Sequence, residues 1–200
     1  GVSCQCCHLH EGSDEALHNI GDKTHVATLD ARGLYGTPPY LRDGGYPFLG
    51  SLDELARTLY RGYLRRQAGR RVSLDRYLAS LPRPTPPRQL EGRDLERERR
   101  GLDAFVRARC PTCHAPPAFT NLGQHPVATL FPRHVGAHGG DELDTPSLLG
   151  LGQSGPYLVD GRAQSLAEVF ADHDPDGRHG HHRALSDAER GDLVHFLEGL

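Results

Sequence analysis

Apolar residues recur three or four positions apart in three stretches of the chain, the spacing of helices that bury one face. The three sets are Leu74, Tyr77, Leu78 and Leu81; Leu95, Leu102, Phe105 and Val106; and Leu193, Phe196, Leu197 and Leu200. A serine followed three positions later by a glutamate is typical of a helix N-terminal capping box, and it occurs at 51–54, 165–168 and 186–189. These patterns predict three longer helices and two short ones.

The rest of the chain predicts loops. Its 200 residues include 24 Gly and 15 Pro, and only 36% are hydrophobic, which is little material for an apolar core. We therefore expect a bound group to help fill the interior. The run Pro82–Pro87 cannot continue a helix and favours an extended spacer. It predicts a linker over 82–87 between two domains, residues 1–81 and 88–200.

An internal repeat supports this division. A shift of 117 residues superimposes P-Y-L-x-D-G at 39–44 on the same pattern at 156–161, with Gly33 on Gly150 in the same register. Each half then continues to a serine-initiated helix and ends with an amphipathic one. The repeat predicts two domains of similar architecture.

Two C-x-x-C-H segments, Cys4–His8 and Cys110–His114, contain four of the five cysteines. Two thiols on one turn can bond to the two vinyl groups of a porphyrin while the adjacent imidazole binds the iron. The sequence therefore predicts two c-type haems as cofactors. The predicted thioether residues are Cys4, Cys7, Cys110 and Cys113, and the predicted proximal iron ligands are His8 and His114. Tyr40 and Tyr157 of the repeated segment should pack near the haem edges.

Disulfides and zinc are the alternatives for these cysteines. A disulfide framework has no need of a histidine directly after the second cysteine of each pair. Zinc binds C-x-x-C pairs in tetrahedral sites, but two pairs so far apart in sequence offer no obvious closure of one site. Haem is the better explanation, and Cys6 is then a bystander inside the first motif.

The second axial ligand of each iron is not methionine, because the chain contains none. In the second half, loop 176–183 precedes the terminal helix and is rich in histidine. We predict His179 as the ligand, with His181 as the next choice; a solvated surface loop is the alternative. The matching loop of the first half has no histidine, so its iron finds a ligand elsewhere or stays open. His25 is the candidate that could fold back onto it, with His10 and His18 as the next choices.

The motifs, the T-P-S-L segment at 145–148 and the repeated P-Y-L-x-D-G resemble the di-haem cytochrome c peroxidase family. The resemblance is close in the second half and weaker in the first. It implies a mainly α fold: two tandem cytochrome c-like domains with much irregular loop, the first without its opening helix. Arg42 and Val159 depart from the pattern, because the family usually has His or Trp there.

Peroxidase relatives pair an electron-transferring haem with an open haem, whose pocket uses Gln and Glu after the short helix. Here Leu55 stands at the Gln position, and Arg65 and Arg66 lie near the Glu position. We therefore expect electron transfer through two covalently bound haems as the primary function. A peroxidase-like oxidoreductase with an open, high-spin haem 1 is the alternative.

Charge and hydropathy restrict the partners. The net charge of -3, with no long basic stripe, argues against nucleic acid, and no apolar run approaches the roughly 20 residues that cross a bilayer. We expect a redox partner protein as donor or acceptor. The resemblance implies a bacterial periplasmic or extracellular location, because haem is attached outside the cytoplasm. The abrupt start at Gly1 motivates a third hypothesis, a di-haem module of a larger extracellular redox assembly.

Overall fold

The computed structural model describes residues 4–20, 23–52, 54, 68–84, 94–126 and 142–200, except for the side chains of 19, 20, 23–25, 68 and 70. The helices in this part are α1 (Ala68–Ser80), α2 (Leu95–Arg107), α3 (Leu166–Glu168, continuing as a π-helix over Val169–His173) and α4 (Asp187–Glu198). Most of the other described residues form irregular chain and short 3-10 turns. None of these helices has the length and hydrophobicity needed to span a membrane.

Side-chain caps begin three of the helices. The Asp94 carboxylate accepts from the Arg97 N–H at 2.9 Å, which starts α2. Ser165 caps α3 through the Glu168 N–H, and Ser186 forms a full capping box with Glu189 at the start of α4. The predicted capping box at Ser186 is confirmed. At Ser165 the predicted helix start and serine cap are confirmed, while the Glu168 carboxylate accepts from the Gln164 N–H and the Ser165 hydroxyl. The predicted box at 51–54 lies partly outside the described residues.

Two small antiparallel hairpins occupy equivalent places in the two halves, and the sequence patterns did not predict them. In the first half β1 (Leu17–Ile20) pairs with β2 (Lys23–Ala27), and in the second β3 (Gln124–Pro126) pairs with β4 (Glu142–Asp144). Each hairpin follows its C-x-x-C-H segment in the chain. The fold is therefore mainly helical with little sheet, as expected.

The main core lies where α2 packs against α4. Phe105 and Leu193 are fully buried at this contact, and Gly101 allows the helices to approach because a Cβ there would lie 2.5 Å from that of Phe196. The predicted apolar pattern of α2 only partly matches its buried face. Leu102 and Val106 are exposed, and the buried positions on α2 are Glu98, Gly101, Ala104 and Phe105. The first half has a smaller core of Tyr40, Leu49 and Leu78.

The repeated P-Y-L-x-D-G turns connect the two halves. Asp144 at the end of β4 donates its N–H to the Arg42 carbonyl at 2.7 Å, and Ala27 at the end of β2 donates to the Val159 carbonyl at 3.2 Å. In the repeat Ala27 corresponds to Asp144, and Arg42 corresponds to Val159. The two hydrogen bonds are therefore equivalent, and each half donates one of them to the other.

Glycines allow each turn to approach the hairpin of the other half closely. Gly44 and Gly161 both have a φ of +62°, which favours glycine, and each faces the first strand of the other half's hairpin. A Cβ on Gly161 would lie 2.6 Å from the Leu17 side chain, and one on Gly44 would meet the Gln124 amide. The turn shape that the two copies share therefore brings each turn into close contact with the other half.

Candidate functional site

The second C-x-x-C-H segment follows α2 without a break in the protein interior. Arg109 adopts a left-handed conformation with a φ of 60°, and Cys110–Thr112 then forms a 3-10 turn. The Cys110 carbonyl accepts from the N–H groups of Cys113 at 3.2 Å and His114 at 2.9 Å. One turn of chain therefore presents both thiols and the imidazole.

The His114 ring is held in its neutral form. Its ring is buried, and burial lowers its pKa because the charged form loses hydration. Nδ1 lies 3.2 Å from the Phe119 carbonyl, which can only accept, so Nδ1 carries the proton. Nε2 is then the nitrogen available to a metal, as in metal-binding histidines generally.

His179 lies across from His114. The two ring centroids are 6.1 Å apart and the ring planes are inclined by 69°. Imidazoles bound to opposite sides of one iron have centroids roughly 6 Å apart, because each metal–nitrogen bond is about 2 Å long and each centroid lies about 1 Å beyond its nitrogen. Burial, reinforced by the repulsion that a second positive charge next to His114 would meet, lowers the pKa of His179 to about 4, so this ring is also neutral. The pair fits two axial ligands of one haem.

A buried carboxylate supports the loop that carries His179. Asp174 accepts from the backbone N–H groups of Arg178 and His179, both at 2.9 Å, and from Nε2 of His182 at 3.0 Å. Burial alone would raise the pKa of Asp174, but these hydrogen bonds outweigh it and hold the pKa below its usual value. His182 is buried as well, yet its Nε2 is bound to Asp174, so it supports the loop instead of facing His114.

The same loop rests on the second motif. The His181 N–H donates to the Ala108 carbonyl at 2.8 Å, and a Cβ on Gly180 would lie 3.9 Å from the Cys110 sulfur. Burial raises the pKa of the Cys110 thiol to about 11. A thioether has no proton to lose, so a sulfur bonded to haem suits this buried place.

The first C-x-x-C-H segment has the same backbone geometry. The Cys4 carbonyl accepts from the N–H groups of Cys7 at 3.2 Å and His8 at 2.9 Å, and Nδ1 of His8 lies 3.3 Å from the Gly12 carbonyl. These contacts repeat those of Cys110, Cys113 and His114. His8 is partly exposed, so the first motif is more open than the second.

A possible metal-binding group lies beside the first motif. Single ligand atoms of Cys7, Asp14 and His18 lie within 4.8 Å of one another, and His18 Nε2 is 2.7 Å from Asp14. A structural zinc site takes four ligands. The described residues supply three here, and Cys7 is also the second cysteine of the haem motif.

The other predicted site residues are placed as follows. His25 lies in β2, and its side chain lies outside the described residues. His181 is exposed. Tyr40 is buried in the small first core, and Tyr157 donates its hydroxyl to the Leu151 carbonyl at 3.0 Å. Their contact with haem edges stays a prediction.

Two groups were missed from the sequence. Asp174 carried no local signal, because its role depends on the fold of the following loop. Arg42 was noted only as a departure from the family pattern, yet its guanidinium is inserted between the halves, with Nη2 2.8 Å from the Ala27 carbonyl.

Comparison with known proteins identifies the fold. No protein-family model matches the sequence, and no curated protein is significantly similar to it. Among solved structures, Kuenenia stuttgartiensis hydrazine synthase matches with a TM-score of 0.84 at 22% identity, covering 100% of this chain and 81% of the other. A MauG-like protein associated with microbial copper homeostasis matches at 0.69 and 18% identity, covering 100% and 82%. The diheme peroxidase BthA from Burkholderia thailandensis matches at 0.68 and 16% identity, covering 100% and 81%.

These similarities define the class of fold. The chain has the fold of di-haem peroxidase-like proteins, and the resemblance that the sequence motifs predicted is confirmed at that level. At identities of 22% and below, the similarity shows the fold alone.

Proposed function

We propose that this chain is a c-type cytochrome that carries electrons through two covalently bound haems. Each haem belongs to one cytochrome c-like domain, residues 1–81 and 88–200, joined by the linker 82–87. Cys4 and Cys7 hold haem 1, and Cys110 and Cys113 hold haem 2, with His8 and His114 as proximal ligands. The matching backbone geometry of the two C-x-x-C-H turns supports this assignment. When bound, each haem supplies an iron that cycles between the ferric and ferrous states.

The arrangement of His114 and His179 is the observation that carries the proposal. Their 6.1 Å separation and neutral, buried rings suit two axial ligands of haem 2. An iron with two tightly held protein ligands has no position for a substrate, and its role is then electron transfer. Asp174 contributes by fixing the backbone at His179.

The ligand variant His179→Ala tests this assignment, with His181→Ala as its matched control. Removing the distal ligand should convert one ferric haem from low spin to high spin and allow cyanide to bind it. The exposed neighbour His181 belongs to the same loop, and its removal should leave both spin states unchanged. Electron paramagnetic resonance and absorption spectra of the holoprotein report the outcome. The assignment fails if both variants keep two low-spin haems or change alike.

A second candidate function concerns haem 1. Among the described side chains, no imidazole faces His8 as His179 faces His114, which favours an open first iron and a peroxidase-like enzyme. The rival proposal is ligation by His25. A high-spin ferric signal that changes when peroxide is added to the wild-type holoprotein would support the enzyme. Two low-spin haems that are inert to peroxide would refute it, and His25→Ala would then create the high-spin signal.

The partner and location follow from this function. We propose a redox partner protein as donor or acceptor, in the bacterial periplasm or outside the cell, where c-type haems are attached. The chain would work alone or as a module of a larger redox assembly. Purification from the native membrane-free extracellular or periplasmic fraction, followed by size measurement, separates these two cases.

A further inference from the structure

An exposed apolar stripe on α2 leads to the second C-x-x-C-H segment. Leu102 and Val106 are 45% and 57% exposed, while other positions of the same helix are buried. The two side chains are neighbours on the helix surface, because they are four positions apart. The Arg109 N–H donates to the Val106 carbonyl at 3.0 Å, so the chain turns directly from this stripe into Cys110. The stripe therefore offers an apolar contact area beside the motif.

Arginines border this stripe on the side of the motif. Arg109 is the exposed residue directly before the second C-x-x-C-H segment. Arg178 and Arg183 are exposed in loop 176–183, which is hydrogen-bonded to the chain just before that segment. Asp176 is the acidic residue of this loop. Three arginines against one aspartate make the surface cationic.

The charges of these arginines differ from others nearby in having no paired acid in the described part of the chain. Arg107, at the end of α2, forms an ion pair with Glu189 of α4. Among the residues that the structure describes, no carboxylate forms an ion pair with Arg109 or Arg178. The whole chain has a net charge of -3, so a cationic surface contrasts with its average. Such a surface attracts an anionic partner before contact is made.

The sulfur atoms of the second motif relate haem 2 to this surface. Thioethers at Cys110 and Cys113 would hold the vinyl edge of the porphyrin at these two sulfurs. Both cysteines are half-buried, and a Cβ on Gly180 of the loop would lie 3.9 Å from the Cys110 sulfur. A protein that covers the arginines and the apolar stripe would therefore approach the thioether edge of haem 2.

We infer that this surface docks an acidic redox protein that exchanges electrons with haem 2. Its residues are Leu102, Val106, Arg109, Arg178 and Arg183. The inference rests on the proposed function, since it needs haem at the second motif. The arginines steer the partner to the haem edge, and the two apolar side chains supply contact that excludes water. When the partner is the donor, it loses one electron as the haem iron changes from ferric to ferrous.

Reversal of the surface charge tests this inference. The double variant Arg109→Glu/Arg178→Glu keeps the Arg178 backbone N–H, which is the group that binds Asp174. Arg71→Glu/Arg76→Glu is the matched control, because it makes the same change in net charge on exposed positions of α1. The holoproteins are mixed in a stopped-flow instrument with reduced plant-type ferredoxin, an acidic redox protein, and haem absorption reports the rate of reduction.

The rate with ferredoxin should depend on charge and on salt. At roughly 10 mM ionic strength, Arg109→Glu/Arg178→Glu should lower the bimolecular rate constant about tenfold, and the α1 control should lower it less than about threefold. At about 0.5 M salt the difference from wild type should shrink to less than about twofold, since salt screens exposed charges. With hexaammineruthenium(II), a cationic reductant, Arg109→Glu/Arg178→Glu should be reduced faster than wild type. General damage to the fold would slow both reactions.

The outcomes separate this inference from the proposed function. A wild-type chain without haem, or with haems that neither reductant reduces, refutes the proposed function. If the haems are reduced and Arg109→Glu/Arg178→Glu behaves like the α1 control, or is slowed with both reductants, only the docking surface is refuted. If that variant does not fold, Arg109→Gln/Arg178→Gln replaces it. Rates equal to wild type with ferredoxin at low salt then overturn the inference.

Discussion

A single methyl group added at Gly101 should lower the free energy of unfolding, because this residue lies where α2 crosses α4. An added Cβ would lie 2.5 Å from the Cβ of Phe196 and would also meet the backbone carbonyl oxygen of Asp192. Ordinary contacts of this kind begin at 3.4 Å. Since the obstacle includes backbone, a side-chain rotation cannot relieve it, and the helices would have to separate by roughly 1 Å.

The expected magnitude follows from two opposing effects. Overpacking of a tight core typically costs about 1–3 kcal/mol, and contact with backbone places Gly101→Ala at the upper end. Alanine in place of glycine within a helix returns about 1 kcal/mol. We therefore expect Gly101→Ala to lower the free energy of unfolding by about 2 kcal/mol. Separation of α2 and α4 should also disturb the second haem motif, which directly follows α2.

Gly191→Ala is the matched control, because Gly191 lies inside α4 and nothing lies within 4 Å of its added Cβ. That variant should raise the free energy of unfolding by about 0.5–1 kcal/mol, from helix propensity alone. Urea unfolding followed by far-ultraviolet circular dichroism measures both changes. We expect Gly101→Ala to lower the free energy of unfolding and Gly191→Ala to raise it. Equal stabilisation by the two substitutions would refute the close helix crossing.

Two further predictions concern buried carboxylates. Asp174→Ala removes the buried acceptor that three donors share and should lower the free energy of unfolding by about 2 kcal/mol. Asp176→Ala, in the exposed part of the same loop, should change it little, and equal losses in urea unfolding would contradict this role. Burial raises the pKa of Asp144 to about 7, against about 3.9 in unfolded chains. Between these two pH values the unfolded state has released a proton that the folded state still holds. The free energy of unfolding therefore falls as the pH rises from about 4 to 7. Asp144→Asn should therefore gain stability over wild type progressively from pH 4 to 7 and hold that gain above pH 7; a difference independent of pH in the same assay would count against the burial of this group.

Local signals explain the parts of the fold that were predictable. The boxes at Ser165 and Ser186 involve residues three positions apart, so the sequence alone contains both partners. The helix before Cys110 was equally predictable from its apolar spacing. Its buried face was not, because Gly101 is a poor helix former in isolation and becomes useful only where α4 crosses it.

Contacts between distant segments explain what was missed. The repeat revealed that residues 39–44 and 156–161 are equivalent, but repetition does not say what each turn touches. The structure brings each turn onto the other half's hairpin, through Arg42 with Asp144 and Val159 with Ala27. Likewise, loop 176–183 contains three histidines, and only the fold distinguishes His179, facing His114, from His182, bound to Asp174.

The intact mass of the chain is the most direct test of covalent haem attachment. The gene should be expressed in a bacterium that matures c-type cytochromes, and the purified polypeptide weighed under denaturing conditions. Attachment at both motifs predicts the mass of the chain plus two haem groups, falling by one haem in Cys4→Ala/Cys7→Ala and by one in Cys110→Ala/Cys113→Ala. A colourless polypeptide with only the mass of its amino acids would contradict the account.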